Sequence, residues 1–418
     1  MRYAFPQLAS KSMFQTYNIV RRALTAAGHE VTVDITPDSD AVLYSACDVL
    51  DMVGLRRLRR ETSKPIIVGG SYAYNYWSAH IYADIVWIGE VFDFARLQSP
   101  QDIADSPHAY TGTAKKLYAS QSIDWGSIPI TQISPNKCYY WAGTGCKNKC
   151  KFCFTSWTRK HQTAGRPRVL SAARAAKERG IHLMITANEY NYNAESKTKD
   201  MLLVDYIKTP VTGNMVRCGI EFAREDTRWR MGKPITREEI YKAIQKINID
   251  YVPLKLFHIT GYEPVSDWDN YISDMCWMLE RHPNQRILQL EFNNLQYQNY
   301  TPLYRERKQI NPDNYITIDT VRGWYNQLRR YSSKVFIGAP SPFVHVAARM
   351  GIELSRTKEQ CELWLYYLNH RDKTDVENAY RELFSSGVLD TPYHRVNLNT
   401  GEIRCNTEVN NGQAICQG

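Results

Sequence analysis

The stretch GTGCKNKCKFCFTSW, residues 143–157, holds three of the ten cysteines of this 418-residue chain within eight positions. The cysteines are Cys146, Cys150 and Cys153, in the spacing CxxxCxxC. Thiolates at i, i+4 and i+7 can surround one metal centre only if the backbone loops, and Gly143, Gly145 and Asn148 supply that freedom. The stretch therefore predicts a looped metal site with three thiolates.

Three local ligands rather than four determine the chemistry of such a centre. A [4Fe–4S] cluster normally takes four cysteines, so three leave one iron open for a further ligand, as open catalytic zinc sites do. A closed zinc site is the alternative, in which Cys138 or His161 completes a tetrahedron with the three cysteines. Neither residue gives the usual paired CxxC arrangement of zinc sites, which favours the cluster.

The octet CKNKCKFC, residues 146–153, resembles the CxxxCxΦC signature of the radical S-adenosylmethionine (radical SAM) superfamily, with Phe152 in the aromatic position. The resemblance implies that Cys146, Cys150 and Cys153 hold a [4Fe–4S] cluster. It also implies that SAM binds the open iron with its adenine beside Phe152. In that family an electron from the cluster cleaves SAM to methionine and a 5′-deoxyadenosyl radical, which abstracts a hydrogen atom from the substrate.

Later segments resemble the same family in the same order, so the resemblance covers roughly residues 136–310. They are GIEFAREDTRWRMGKPITREEI (219–240), VPLKLFHITGYEPVSDW (252–268) and LQYQNYTPLY (295–304). Where the family has an acidic motif after its second strand, this chain has TANEYN, which makes Asn188 and Glu189 the candidates for the SAM amino group. Where the family has GLPGE, this chain has GYEPV, which leaves the role of Glu263 open.

Three residues of these segments have a chemical reason to bind SAM. Glu221 ends a predicted strand, where parallel sheets place ligand-binding groups, and its carboxylate can accept from ribose hydroxyls. Arg224 can clamp a carboxylate such as that of SAM, although an ion pair with Glu221 is the structural alternative. Gly261 follows a predicted strand and would let the backbone approach the adenine.

Residues 1–95 alternate short apolar runs with helical patterns, which predicts a doubly wound parallel sheet. Residues 66–90, IIVGGSYAYNYWSAHIYADIVWIGE, resemble the end of the cobalamin-binding domain of one radical SAM branch. The family's lower-ligand motif DxHxxG is missing, since residues 5–18 contain no histidine. We therefore expect the fold to be kept without cobalamin. If cobalamin binds, the expected contacts are Ser45, Gly69, Gly70 and Gly89.

The predicted fold class is α/β. The parts are a Rossmann-like, cobalamin-binding-type domain (1–95), a linker with little regular structure (96–135), a radical SAM partial (β/α)6 barrel (136–310) and a mainly helical C-terminal extension with a polar tail (311–418). Within the barrel, Thr236 and Glu239 form a capping box that marks the start of a helix.

Composition constrains the partners and the compartment. The net charge of +9 favours anionic partners weakly, and the run Arg56, Arg57, Arg59 and Arg60 predicts either a nucleic-acid contact or a solvated helix face. Residues 289–304 mix Tyr with Asn and Gln, which suits binding of flat heterocycles or a polar strand and loop. The chain has no apolar run of about 18 residues, and its other cysteines are scattered. We expect no membrane segment and a reducing cytoplasm, that of a host if the chain is viral.

The leading hypothesis is a radical SAM enzyme, an isomerase or a transferase, that acts on a nucleobase or a nucleic-acid adduct in DNA or RNA. One version is an isomerase of thymine hypermodification, because phage enzymes of the family rearrange amino-acid adducts of thymine. A reductant protein such as flavodoxin or ferredoxin would supply electrons. The alternatives are a cobalamin-dependent radical SAM methyltransferase on a small molecule or peptide and a non-catalytic, metal-stabilised nucleic-acid-binding protein.

Overall fold

The computed structural model describes residues 1–6, 13–113, 115–186, 198–341, 343–369 and 373–406. Its N-terminal part is a parallel sheet with helices between the strands. The strands are β1 (Arg2–Ala4), β2 (Glu30–Thr32), β3 (Ala41–Ser45), β4 (Ile66–Gly69), β5 (Ile85–Trp87) and β6 (Ala109–Tyr110). The helices are α1 (Met13–Ala26), α2 (Asp51–Glu61), α3 (Tyr76–His80), α4 (Val91–Phe94) and α5 (Pro100–Asp105).

The strand order of this sheet is β2-β1-β3-β4-β5-β6. β1 to β5 are parallel, and β6 pairs antiparallel with β5. All five residues of β3 are buried, because a central parallel strand is covered on both faces. The doubly wound sheet predicted from the sequence is confirmed.

The stretch 96–135 holds more regular structure than its sequence indicated. α5 begins after Ser99, whose Oγ accepts from Asp102 N (3.0 Å), with Pro100 in its first turn. Two further strands are β7 (Leu117–Tyr118) and β8 (Thr131–Ser134). Each strand here pairs with a strand elsewhere in the chain. Strands of two to four residues carry no periodicity of their own, so the local pattern did not reveal them.

The barrel part is built from two arcs of parallel strands. Its strands are β9 (Lys137–Trp141), β10 (Gly143–Thr144), β11 (Gln162–Thr163), β12 (His182–Thr186), β13 (Thr198–Asp200), β14 (Met215–Glu221), β15 (Leu254–Thr260), β16 (Leu288–Asn294) and β17 (Val335–Gly338). β9 pairs in parallel with β12, and β13 to β17 form a five-stranded parallel sheet. Alternate residues of β14 to β16 are buried against helices, and those between face the barrel interior.

Helices cover the outside of the barrel strands. They are α6 (Thr155–Thr158), α7 (Arg166–Glu178), α8 (Leu203–Lys208), α9 (Glu225–Arg230), α10 (Arg237–Asp250), α11 (Val265–Arg281) and α12 (Ile318–Leu328). The capping box predicted at the start of α10 is confirmed: Thr236 Oγ1 accepts from Glu239 N (3.1 Å), and Thr236 N donates to Glu239 Oε2 (2.8 Å). A buried stripe of isoleucines on α10 packs into the barrel core.

The C-terminal part is mainly helical, as predicted. Its elements are α13 (Phe343–Leu354), α14 (Lys358–Asn369), α15 (Lys373–Ser385), β18 (Tyr393–Val396) and β19 (Glu402–Asn406). β18, β19 and β7 form a small antiparallel sheet. The parallel barrel sheet extends past position 310, since β17 pairs with β16. Within the described residues, no helix combines the length and the apolar character needed to cross a membrane.

Candidate functional site

A cavity of about 840 Å³ opens at the carboxyl ends of the barrel strands, beside residues 145–153, here called the cysteine loop. Ligands bind at this end of parallel sheets and barrels. All three cysteines of the loop line the cavity. The lining also includes Phe152, Asp200, Arg217, Gly219, Glu221, Lys233, Phe257, Ile259, Asn293, Asn294, Gln296 and Gln298.

Backbone hydrogen bonds from two distant segments hold the cysteine loop. Lys151 N donates to Met231 O (2.9 Å), and Leu303 N donates to Lys151 O (3.1 Å). Gly145 has φ +67°, and a β-carbon there would lie 2.5 Å from the Lys160 carbonyl. A larger residue would therefore be strained and would clash. These contacts constrain the shape of the loop.

The three thiols differ in burial. Cys150 is buried, whereas Cys146 and Cys153 are half-buried. Burial raises the pKa of the Cys150 thiol to about 11, against the opposing effect of the Lys233 charge. Cysteine binds metal as thiolate, so metal loading would release a proton here. Three cysteine sulfurs on one cavity wall fit an iron–sulfur cluster with one open iron.

The described residues do not form the closed zinc site. Among them, no three or more His, Cys, Asp or Glu side chains gather closely enough to hold a single ion. Cys138 lies on β9, its Sγ donates to the His182 carbonyl (3.7 Å), and neither Cys138 nor His161 lines the cavity. The three cysteines therefore line the cavity without either proposed fourth zinc ligand.

Glu221 and Lys233 form an ion pair on the cavity wall. Lys233 Nζ lies 3.0 Å from Glu221 Oε1, and the two side chains are 15% and 13% exposed. Glu221 has φ +73° at a β-bulge in β14. A β-carbon at Gly219 would lie 1.9 Å from Glu221 Oε1, so the carboxylate occupies the space that this glycine leaves. Strained backbone of this kind is concentrated at ligand sites.

Burial lowers the pKa of Lys233, but the charges of Glu221 and Cys150 outweigh this effect and raise the pKa overall. Lys233 therefore remains a cation on the wall of the cavity. This lysine lies in the segment 219–240, but nothing in the sequence assigns it to the site. Lys233 follows Glu221 by twelve residues, and the connection between them contains the helix α9. Sequence spacing alone therefore does not reveal that the two side chains meet.

The structure brings part of the predicted site together. Phe152 lines the cavity and packs edge-on against Phe222, with ring centroids 5.4 Å apart. Phe152 thus shares the cavity with Glu221 and the three cysteines. Asn188 and Glu189, predicted for the SAM amino group, lie outside the described residues.

Arg224 and Gly261 are placed away from the cavity wall. The Arg224 guanidinium is exposed and bonds Asp226 (2.9 and 2.8 Å), so the predicted alternative of an ion pair with Glu221 is not formed. Gly261 has φ +96°, and a β-carbon there would lie 2.5 Å from the Tyr315 ring. The glycine is therefore required by the packing of Tyr315.

Glu263, whose role the sequence left open, is buried and holds the turn after β14. Its carboxylate accepts from Ala223 N (2.6 Å) and Arg224 N (3.0 Å). Burial raises the pKa of Glu263, while these backbone donors and the Thr227 hydroxyl lower it. This carboxylate satisfies backbone groups at the strand end that carries Glu221.

The segment 289–304 divides into two sets of residues. Its tyrosines Tyr297, Tyr300 and Tyr304 are buried in the core, so they do not stack on a ligand in the cavity. Four of its six carboxamides line the cavity instead: Asn293, Asn294, Gln296 and Gln298. Asn294 Oδ1 accepts from Thr260 Oγ1 (2.7 Å), which fixes the orientation of that amide.

The barrel interior also holds charged residues that the sequence did not reveal. Arg217 on β14 makes a two-point hydrogen bond with Asp200 on β13, and both line the cavity. Phe257 and Ile259 on β15 supply an apolar wall. An alternating strand pattern would have marked these inward positions, but not the pairing between strands.

A buried carboxyl group lies behind the carboxamide wall. Gln296 Nε2 donates to Glu353 Oε1 (2.7 Å) on α13. Burial raises the pKa of Glu353 to about 8, against the opposing effect of Arg349. Glu353 also lines a small cavity of about 60 Å³ together with Cys47 and Gln298. Gln298 lines both cavities, so this polar contact region joins the barrel to the N-terminal sheet.

The N-terminal sheet has a narrow slot of about 70 Å³ at the carboxyl ends of its strands. Its lining includes all four residues expected for cobalamin, Ser45, Gly69, Gly70 and Gly89. Gly70 (φ +98°) and Gly89 (φ +105°) pack against backbone of Ala46 and Ser120, so the fold itself requires them. A β-carbon at Gly69 would meet nothing within 4 Å, which leaves space over the strand end.

The arginine run on α2 is largely engaged in ion pairs. Arg56 bonds Glu362 (2.6 Å), Arg59 bonds Asp84 (2.7 Å) and Arg57 lies 3.5 Å from Glu61. Charges that are already paired are poorly suited to replace counterions on a phosphate backbone. The predicted solvated helix face is present only at the exposed Arg57 and Arg60, since Arg56 and Arg59 are half-buried in their ion pairs.

The comparisons with known proteins concern the fold. The sequence matches no protein-family model and no curated protein. One similar structure is that of the radical SAM methyltransferase TsrM from Kitasatospora setae with cobalamin and a [4Fe–4S] cluster bound. It matches this chain with a TM-score of 0.58 and 11% sequence identity, and the match covers 92% of this chain and 99% of the TsrM chain. A second TsrM structure, with tryptophan and a SAM analogue, has a TM-score of 0.52 at 12% identity and covers 74% and 76%.

A structure of the cobalamin-dependent SAM radical enzyme OxsB is weaker, with a TM-score of 0.49 at 12% identity, and covers 97% of this chain and 64% of its own. The TsrM similarity covers nearly the whole of both chains. The chain therefore shares the fold of TsrM, and in this chain that fold is a parallel N-terminal sheet followed by a partial barrel and a helical C-terminal part.

Proposed function

We propose that this protein is a radical SAM enzyme. The observation that carries the proposal is the cysteine loop, which places three thiols on the wall of a cavity large enough for SAM and a substrate. A buried ion pair on the same wall supports it, because SAM presents both a carboxylate and ribose hydroxyls. The fold shared with TsrM agrees with this proposal.

In this proposal Cys146, Cys150 and Cys153 hold a [4Fe–4S] cluster. The cluster supplies the electron that cleaves SAM to methionine and a 5′-deoxyadenosyl radical. Glu221 accepts hydrogen bonds from the ribose, and Lys233 contributes a fixed positive charge on the same wall.

For the substrate, we propose a nucleobase or a nucleobase adduct within DNA or RNA. Four carboxamides line the cavity, and Phe257 and Ile259 on the neighbouring strand β15 add an apolar patch beside them. Carboxamides offer a donor and an acceptor to the edge of a base, and an aromatic ring can stack on its face. An isomerase that rearranges a thymine adduct is one reaction of this class.

The test is anaerobic cluster reconstitution, reduction with dithionite and mass spectrometry for 5′-deoxyadenosine. We expect 5′-deoxyadenosine from the wild type and none from Cys150→Ala. Deoxynucleosides, oligonucleotides and tRNA are then compared for stimulation of product formation. If the cluster-loaded protein binds SAM but makes no 5′-deoxyadenosine with any of them, the proposed substrate class is wrong.

A cobalamin-dependent methyltransferase is the second candidate. The sequence favoured a domain without cobalamin, but the TsrM structure of similar fold holds it, and the slot at Gly69 supports binding here. The slot residues fit an apolar or aromatic part of the cofactor. Anaerobic purification with added hydroxocobalamin, followed by an absorbance spectrum, tests this candidate. Bound corrinoid and two SAM consumed per turnover would favour it over the isomerase.

The non-catalytic alternative makes a separate prediction. A metal-stabilised nucleic-acid-binding protein would hold zinc near one equivalent, would bind DNA or RNA and would not cleave SAM. Metal analysis of the purified protein distinguishes this outcome from the iron and sulfide of a cluster.

A further inference from the structure

The outer side of the cysteine loop carries an exposed basic surface that the proposed chemistry does not use. We define the outer loop surface as Lys149, Lys151, Trp229 and Arg230. All four residues are exposed, and Trp229 is 58% exposed. None of them lines the barrel cavity.

Backbone contacts join these residues into one surface. Lys151 N donates to Met231 O (2.9 Å), and a β-carbon at Gly232 would lie 3.0 Å from Lys149 O. The segment carrying Trp229 and Arg230 is therefore packed directly against the loop that carries the cysteines.

The charges of this surface are largely uncompensated. Arg230 lies over the Tyr262 ring at 5.3 Å, and the nearby Glu306 accepts from Tyr262 Oη (2.7 Å). Lys149 Nζ donates to the Ser156 carbonyl (3.0 Å), which leaves its charge without a carboxylate partner. Lys151 makes no ion pair with any described residue. The surface thus combines three cations with one exposed indole.

We propose that the outer loop surface docks a small acidic electron-transfer protein of the flavodoxin type. This inference rests on the proposed function, since it names the partner that reduces the cluster. Cations around an exposed tryptophan complement an acidic partner and supply an aromatic anchor. Docking here places the partner's redox group against the backbone of the cysteine loop, so the electron has a short path to the cluster.

A nucleic acid is the other anionic partner that such a surface could bind. A nucleic-acid substrate has to deliver a base into the cavity, and none of the four residues lines it. An electron donor needs only to approach the cysteine loop from outside. The position of the surface therefore favours the electron donor.

The test uses the cluster-loaded full chain and purified flavodoxin. The first variant reverses two charges of the surface, with Lys151→Glu and Arg230→Glu. The matched control reverses two charges on α1, with Arg21→Glu and Arg22→Glu, because those arginines are also exposed. Flavodoxin affinity is measured by calorimetry at low and high salt. Oxidation of reduced flavodoxin is followed by stopped-flow absorbance.

We expect the double reversal to weaken flavodoxin binding and slow its oxidation by about tenfold or more at low salt, while the control pair changes neither. SAM cleavage driven by dithionite serves as the internal reference: in the double reversal it should fall much less than cleavage driven by flavodoxin, and in the control pair neither should fall. Trp229→Ala should weaken binding without changing its salt dependence.

Two outcomes would overturn the docking proposal. One is wild-type flavodoxin affinity in the double reversal. The other is an equal loss of dithionite-driven and flavodoxin-driven cleavage, which would place these residues at the cluster itself. Loss of oligonucleotide binding with flavodoxin binding intact would assign the surface to nucleic acid. Failure of the reconstituted wild type to hold an iron–sulfur cluster or to bind SAM would refute the proposed function, while the binding measurement would still decide the docking.

Discussion

The barrel cavity and the N-terminal slot occupy equivalent places in two parallel sheets, at the carboxyl ends of the strands, but their walls differ. The cavity of about 840 Å³ is lined by cysteines, a buried ion pair and carboxamides. The slot of about 70 Å³ is lined mainly by glycines and apolar side chains. One sheet end is thus built for charged, reactive groups and the other for close backbone approach. Sheet topology provides the place, and the side chains that face it determine the chemistry.

The largest effect should come from the cysteine loop, which has no counterpart in the slot. Cys150→Ala removes one of three cluster ligands, so we expect iron and sulfide content to fall to background and SAM cleavage to be lost. Cys218→Ala is the matched control, since Cys218 is buried on β14 outside the cavity lining. Iron analysis and the visible spectrum after reconstitution measure the effect. Full cluster content in Cys150→Ala would contradict the ligand assignment.

The variant Glu221→Gln tests whether the Glu221–Lys233 ion pair contributes to SAM binding as well as to stability. Glu221→Gln leaves Lys233 buried without its partner, so we expect a loss of about 3–5 kcal/mol in the free energy of unfolding. SAM affinity, measured by equilibrium dialysis, should fall about tenfold or more, because a hydrogen bond to a charged group is lost.

Asp250→Asn is the matched control for this pair. It breaks the Lys246–Asp250 ion pair of α10, which is equally buried, with 12% and 8% exposure, and lies outside the cavity lining. The control should lose stability but keep SAM affinity. Equal SAM affinities in the two variants would restrict Glu221 to a structural role.

The pH dependence of protein stability tests the buried carboxyl group of Glu353, which lies between the cavity and the N-terminal sheet. Burial raises its pKa to about 8, above the value of the unfolded chain. Between these two pKa values the unfolded chain is ionised while the folded protein keeps the proton, so this group makes stability fall as pH rises towards 8. Glu353→Gln should remove this loss and be more stable than the wild type at pH 8 by a few kcal/mol.

Thermal unfolding at pH 5, 6.5 and 8 measures this difference, with Glu280→Gln as an exposed control on α11. The control should follow the wild-type pH profile. A wild-type profile that Glu353→Gln leaves unchanged would show that the buried carboxyl group does not titrate in this range.

The smallest expected effects come from alanine substitutions in the slot, which should distinguish Gly69 from Gly70. Gly70→Ala combines a strained φ with a contact of 2.4 Å to the Ala46 carbonyl, so it should cost at least about 1–3 kcal/mol of stability. Gly69→Ala meets no atom within 4 Å and should leave stability unchanged within about 0.5 kcal/mol, but it fills the slot. Hydroxocobalamin binding after dialysis should therefore fall in Gly69→Ala. Undiminished binding there would place any corrinoid elsewhere.

Local patterns predicted the parts of the fold that depend on local chemistry. β14 ends at Glu221, where the sequence predicted the end of a strand, and the α10 capping box follows from two side chains three residues apart. The parallel N-terminal sheet follows from its repeated strand and helix signals. Edge strands such as β7 and β17 were not predicted, because their pairing partners lie far along the chain.

The site was predictable to the same extent. The cysteine spacing identified the loop, and the position of Glu221 at a strand end placed it in the cavity. Lys233 and the Arg217–Asp200 pair were missed, because their contacts arise from a bulge and from strand register rather than from sequence spacing. The tyrosines of segment 289–304 were misleading, since the same aromatic rings that could stack on a base also fill a core.

The clamped cysteine loop has a consequence for maturation and repair. Met231 and Leu303 bond the backbone of Lys151 and lie far along the chain, so the loop takes its shape only when the barrel has folded. If the proposed cluster binds here, it should therefore load onto a folded protein. Reloading after oxidative loss of iron should then need no refolding.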